Sequence, residues 1–128
     1  EFHDIHFLGS GQGTGVQALG ASRLHLTGCR VSGWETGFLA EDRAWINADE
    51  TVFTDNAVGM CFNAQDTPLV SDNFYSNNTF QGNETAILLE RVSGDAILAF
   101  PGTVFSGNGT DIDNRCGLEL DLSEAIFE

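Results

Sequence analysis

The sequence predicts an all-β solenoid of about five coils, and three observations predict it. A ten-residue pattern recurs four times without gaps and once more after a two-residue insertion. The recurrences are spaced by 22 to 27 residues. Inside each unit, short apolar stretches alternate with glycine and polar turns, with no sustained helical period.

The first unit, Phe7-Leu-Gly-Ser-Gly-Gln-Gly-Thr-Gly-Val-Gln-Ala, carries the insertion. Val31-Ser-Gly-Trp-Glu-Thr-Gly-Phe-Leu-Ala follows, then Phe53-Thr-Asp-Asn-Ala-Val-Gly-Met-Cys-Phe. Phe80-Gln-Gly-Asn-Glu-Thr-Ala-Ile-Leu-Leu and Phe105-Ser-Gly-Asn-Gly-Thr-Asp-Ile-Asp-Asn complete the series. The anchors at 7, 31, 53, 80 and 105 are thus separated by 24, 22, 27 and 25 residues. Each anchor opens a short strand, a polar or glycine turn follows, and an alternating apolar pair forms a second strand. A third strand lies upstream in several units, marked by Leu24 and Leu26, Trp45 and Ile46, and Leu98 and Phe100. From Gly117 to Glu128 the pattern lapses into a terminal strand or cap, with a weak helical period at Leu122–Phe127. Residues 1–128 read as a single domain, and the start at Glu1 without an initiator Met reads as a piece of a longer protein.

A βαβ unit needs about 30 residues or more, so these spacings are too short for one. Hairpin signals are missing between the alternating runs, which argues against a sandwich or an up-and-down barrel. One coil per repeat remains, with equivalent strands stacked in parallel at about 4.8 Å per coil. Stacking assigns faces. Phe38 and Ala40, Met60 and Phe62, Ile87 and Leu89, and Ile112 and Asn114 point inward, behind a mostly aromatic stack of anchors. Asn56, Asn83 and Asn108, each three residues after its anchor, form a structural ladder of side-chain amides.

The pattern Phe-x-x-Asn-x-x-Gly-Φ-x-Φ, as in Phe53 to Phe62, resembles right-handed parallel β-helix proteins of the pectate-lyase-like superfamily, NosD-type repeats included. The likeness runs from about Phe2 to Arg115. It implies right-handed coils. It also brings to mind polysaccharide lyases, hydrolases, epimerases, adhesins and tailspikes, which is a range of activities and not one. The Asn-Thr-Asp, Gly-His-Gly and Asp-Pro-His-Asp segments of pectin hydrolases and alginate epimerases do not occur in this sequence.

Nineteen acids against five arginines, with no lysine, leave a net charge of −14. Such a surface repels a phosphate backbone and anionic lipid, so nucleic acid and membrane insertion are excluded as partners. Polysaccharide is the expected partner, in a secreted or cell-surface setting. Cys29, Cys61 and Cys116 match no zinc spacing and read as small buried hydrophobes, with one disulfide and a free thiol as the alternative. His3, His6 and His25 share no register, and Gly9 to Gly15 lacks the Lys and helix of a phosphate loop. No metal set is therefore assigned; calcium is the one cofactor the turns could take, through Asp49, Glu50, Asp55 and Asp66.

Function is expected on the outward columns. One reads Gln17, Leu39, Cys61, Leu88, Asp113, and its apolar middle predicts a covered face, met by a second copy, by the rest of a parent protein or by a loop of this chain. The next reads Leu19, Glu41, Asn63, Glu90, Arg115. Trp34, Trp45 and Asn63 are the candidate sugar contacts. Glu41, Glu90, Asp113 and Arg115 are the candidate catalytic set, should the chain be a lyase or glycoside hydrolase fragment. The leading expectation is a non-catalytic or weakly catalytic polysaccharide-engaging module. The second alternative is an architectural segment of a fibre or tailspike.

Overall fold

A computed structural model describes residues 1–67, 75–92 and 97–128. Its strands, numbered in chain order, are all parallel to their neighbours and stack in three faces. The first face holds β1 (Phe2–His3), β4 (Arg23–Thr27) and β7 (Trp45–Asp49), with β12 (Leu98–Ala99) and β15 (Leu120–Asp121) paired further along. The second holds β2 (His6–Leu8), β5 (Arg30–Ser32), β8 (Val52–Thr54), β10 (Thr79–Gln81), β13 (Val104–Ser106) and β16 (Ile126–Phe127). The third holds β3 (Thr14–Ala18), β6 (Thr36–Asp42), β9 (Val58–Ala64), β11 (Thr85–Arg91) and β14 (Thr110–Asn114). The result is a parallel β-solenoid of about five turns.

Anchor stands on anchor. Phe7 pairs with Val31, Val31 with Phe53, Phe53 with Phe80 and Phe80 with Phe105. The rings of Phe53 and Phe80 are parallel at 4.7 Å, and those of Phe80 and Phe105 at 5.2 Å. Phe38, Ala40, Met60, Phe62, Ile87 and Leu89 are fully buried behind them, whereas Ile112 and Asn114 in the last full coil are half-buried. Each inward pair is covered by the equivalent pair of the next coil, Phe38 and Ala40 by Met60 and Phe62, and these by Ile87 and Leu89.

Corners are made by the backbone. Asp4, Gly28, Glu50, Asn77 and Gly102 occupy one column with φ between 51 and 66°. Each donates its N–H to the next coil, as in Gly28 N to Asp49 O at 3.1 Å and Gly102 N to Glu124 O at 2.9 Å. A side chain there costs about 1–2 kcal/mol of left-handed strain, least for Asn and Asp, which explains Asp4, Gly28, Asn77 and Gly102 but not Glu50.

The terminal stretch, expected as a non-repeating strand or cap, holds strands β15 and β16 and continues the repeat. Val104 and Phe105 pair with Ile126 and Phe127, and the Phe127 ring stacks on Phe105 at 5.0 Å. Phe127 is a sixth anchor, 22 residues after Phe105. The acidic run around Glu119 and Asp121 hides the repeat, since those side chains are exposed and carry no pattern.

Candidate functional site

The turn between the second and third faces carries the asparagine ladder. Asn56 Nδ2 donates to Asn83 Oδ1 at 3.0 Å, and Asn83 Nδ2 donates to Asn108 Oδ1 at 3.0 Å. Each amide also donates to an anchor carbonyl one coil back, on Val31, Phe53 and Phe80 in turn. Trp34 heads the same column. Its backbone N–H donates to Asn56 Oδ1 at 3.0 Å, and its indole Nε1 donates to the carbonyl of Phe7 at 2.9 Å. The indole thus stands where the amide nitrogen of an asparagine would, and the glycine-rich insertion makes room for it. A Cβ on Gly9 would lie 2.6 Å from the ring, and one on Gly15 would lie 2.8 Å from Nε1. Trp34 is half-buried and tied into the ladder rather than presented as an open stacking platform.

Trp45 is a correction to the sugar-contact reading. It is 1% exposed, 5.3 Å from the Phe62 ring, and belongs to the core. Its partner in the register is Arg23, so the apolar pair that aligns with Leu24 and Leu26 is Ile46 and Ala48.

A second buried polar column runs two residues before the anchors. Asn78 Oδ1 accepts from Thr51 N at 3.0 Å, Thr51 Oγ1 accepts from Cys29 N at 3.3 Å, and Thr103 Oγ1 accepts from Asn78 N at 3.3 Å. Each of these side chains also donates to a carbonyl, Thr51 Oγ1 to Asp49 O, Asn78 Nδ2 to Ala48 O, Thr103 Oγ1 to Tyr75 O and Cys29 Sγ to Phe2 O, so several small polar residue types serve and no single one marks the column.

On the outward side of the third face, Gln17, Leu39, Cys61, Leu88 and Asp113 stand in register. The neighbouring column departs from expectation. A register shift after Leu89 places Arg91, not Glu90, beside Asn63, and Arg91 Nε donates to Asn63 Oδ1 at 2.8 Å. Asn63 is thereby bound to Arg91 and not grouped with the carboxylates. Glu41 accepts from the Gln17 amide. Arg115 reaches Glu90 at 2.7 Å and Asp113 at 3.1 Å, so it bridges two acids of the candidate catalytic set. Asp113 first, and Glu90 after it, hold this guanidinium protonated.

Cys61 is 7% exposed between these groups, and its thiol is pushed up to about 11. Burial is the main cause, with the carboxylates of Glu90 and Glu41 adding to it and Arg115 opposing. A thiol so raised is a poor nucleophile. Cys29 is buried, Cys116 exposed, and all three are free thiols.

The acids considered for calcium are dispersed. Asp49 binds His25 Nε2 at 2.6 Å and accepts from Ser76 N at 3.1 Å. Glu50, Asp55 and Asp66 sit at successive corners. Among the described residues, no three His, Cys, Asp or Glu side chains converge on one point as metal ligands.

An open depression of about 440 Å³ lies over the ladder corner, lined by Gly11, Asp55, Asn56, Ala57, Gly82 and Glu84. Asn56 is the floor, 2% exposed and spent in the ladder. Asp55 and Glu84 are exposed, and neither carboxylate accepts a hydrogen bond from the described residues. Sequence reading passed over Glu84 and took Asp55 only as a turn acid. The signal was its position beside the ladder asparagine, a place each coil offers to solvent.

Comparison of the chain with protein families, with curated proteins and with solved structures finds no match.

Proposed function

We propose that the chain is a non-catalytic, polysaccharide-engaging module of a secreted or surface protein, built as a right-handed β-helix of the pectate-lyase-like kind. The observation that carries this reading is the depression over the ladder corner, where Asp55 and Glu84 are unspent acceptors. Sugar hydroxyls are donors, and a hydrogen bond to an ionised acceptor is about twice as strong as a neutral one. Gly11 and Gly82 leave backbone uncovered beside the carboxylates, and Ala57 adds a small apolar contact. A chain of net charge −14 with these two acids in its groove favours a neutral glycan over a uronate.

Catalysis has less support. Of the four candidate catalytic groups, Glu90 and Asp113 are bridged by Arg115, and Glu41 is bonded to Gln17. A lyase needs a free base beside an acidified carbon, and here Arg115 is held in ion pairs and Arg91 is bonded to Asn63.

A glycan array tests the reading, with and without calcium, alongside an assay for unsaturated lyase product. The expected result is retention of a neutral glycan, weakened about tenfold or more in Asp55→Asn/Glu84→Gln, as loss of hydrogen bonds to charged groups implies. Unsaturated product, or binding untouched by the double substitution, would overturn it.

A further inference from the structure

We propose that the outward side of the third face is a self-complementary docking surface, and that its occupant is a second copy of this chain. The dyad axis lies along β9. A twofold axis in the interface, parallel to the strands, keeps position along a strand and reverses the order of the coils. It therefore sets β6 against β11 of the second copy, β3 against β14, and β9 against itself.

Three registered columns match themselves under that operation. Gln17–Leu39–Cys61–Leu88–Asp113 reads polar, apolar, centre, apolar, polar. Leu39 would meet Leu88 of the other copy twice, with Cys61 on the axis. The amide of Gln17 would meet the carboxylate of Asp113. Thr14–Thr36–Val58–Thr85–Thr110, at the strand entries, has the same symmetry about Val58.

The third column supplies the charge argument. Glu41 pairs with Asn63, and the register shift after Leu89 brings Arg91 into line with Asn63. The column is Glu41–Asn63–Arg91, so reversal sets an acid against a base at both ends. Without the shift it would be Glu41–Asn63–Glu90, and reversal would oppose like charges. A bulge re-aims a strand's side chains and is a built feature rather than a defect. Here it brings a base into the column, while Glu90 stays on the same face with its charge met by Arg115, in a chain whose overall charge resists association.

Size sets the strength. Three of the strands have seven residues and are about 23 Å long, the other two have five and are about 17 Å, so at about 4.8 Å per strand the face offers about 490 Å² per copy, or about 1,000 Å² in all. That is the range of weak specific pairs, so association belongs in the micromolar to sub-millimolar range.

Sedimentation of the whole chain from about 10 µM to about 1 mM tests this, a span chosen for weak association. Wild type is expected to form dimers in that span. Glu41→Arg and Arg91→Glu alone should each weaken the dimer about tenfold or more, because each places like charges across the interface twice. Glu41→Arg/Arg91→Glu together should restore it to within about threefold, since both cross-interface pairs return with sign reversed. These side chains are on the surface, and circular dichroism confirms that each variant folds. Leu88→Asp should abolish association. A wild type that stays monomeric throughout, single variants that associate normally, or a double variant that fails to recover would each overturn the proposal. Asp55→Asn/Glu84→Gln should leave the dimer unchanged, so failure of the glycan reading and failure of this one are distinguishable.

Discussion

Replacing Asn83 by Ala in an interior coil removes four hydrogen bonds at once. Asn83 Oδ1 accepts from Asn56 N at 3.1 Å and from Asn56 Nδ2 at 3.0 Å. Its Nδ2 donates to Phe53 O and to Asn108 Oδ1, both at 3.0 Å. The residue is 2% exposed, so water does not stand ready to replace it. At about 1 kcal/mol net per bond, the loss comes to about 4 kcal/mol, and an unmatched buried donor such as Asn56 N–H keeps it from being smaller than about 3. Domains are typically stable by about 5–15 kcal/mol, so this is a large fraction of the whole. Urea unfolding followed by circular dichroism reads the change as a lower midpoint at unchanged slope. Asn108→Ala is the control. Asn108 is half-buried and near the open end, so water substitutes for part of what it loses, and the cost should be about 1–2 kcal/mol. An Asn83→Ala cost below about 1 kcal/mol, or equal costs at the two positions, would refute the reasoning that the ladder is a buried structural element.

Other substitutions test the remaining parts. Trp34→Asn should be better tolerated than Trp34→Ala by about 1 kcal/mol in the same unfolding assay, because an amide at this position regains the bond to the Phe7 carbonyl that Ala cannot make. Phe80→Ala, which opens a gap between the Phe53 and Phe105 rings, should cost about 3–5 kcal/mol, with a midpoint shift to match. Cys61 binds its proton more tightly folded than unfolded, so its contribution is intact below its ordinary value of 9.0 and is lost as pH rises towards about 11. This thiol should lower stability across that window by on the order of 2 kcal/mol, the part that Cys61→Ala removes when unfolding is measured against pH, while buried Tyr75, also pushed well above 10.0, keeps its own part. In alkylation at pH 8, exposed Cys116 should react fully before Cys61 reacts at all, as mass spectrometry of the labelled peptides will read.

The coil was legible because its anchors are alike and evenly spaced, and the alternation after each turn assigned Phe38, Met60 and Ile87 inward and Leu39, Cys61 and Leu88 outward. What escaped had physical reasons. Phe127 sits behind an acidic exposed run that obeys no pattern. The Thr51–Asn78–Thr103 column needs a side chain that both accepts and donates, which Thr and Asn each supply, so its chemistry persists while its letters change. Trp34 was aligned with Asn56 from the start, yet a tryptophan invites a reading as sugar platform, and only the bond to Phe7 O shows it acting as a ladder donor. Arg91 beside Asn63 follows from a backbone irregularity that leaves no trace in residue type. Single-residue spacing predicts columns well along a regular strand and fails one residue past a bulge.

The stacking of coils is tested most directly by distances along the solenoid axis between paired spin labels. Leu8, Ser32, Thr54, Gln81 and Ser106 form one registered column on the second face. With one label at Leu8 and the second at Gln81, Ser106 or Glu128, in a background where Cys116 is replaced by Ser, the separation should rise by about 4.8 Å per coil, from about 14 to about 19 to about 24 Å. A series that rises in those equal steps is the predicted result. Distances that fail to increase with coil number would contradict the solenoid, and with it the ladder corner and the outward face on which both proposals stand.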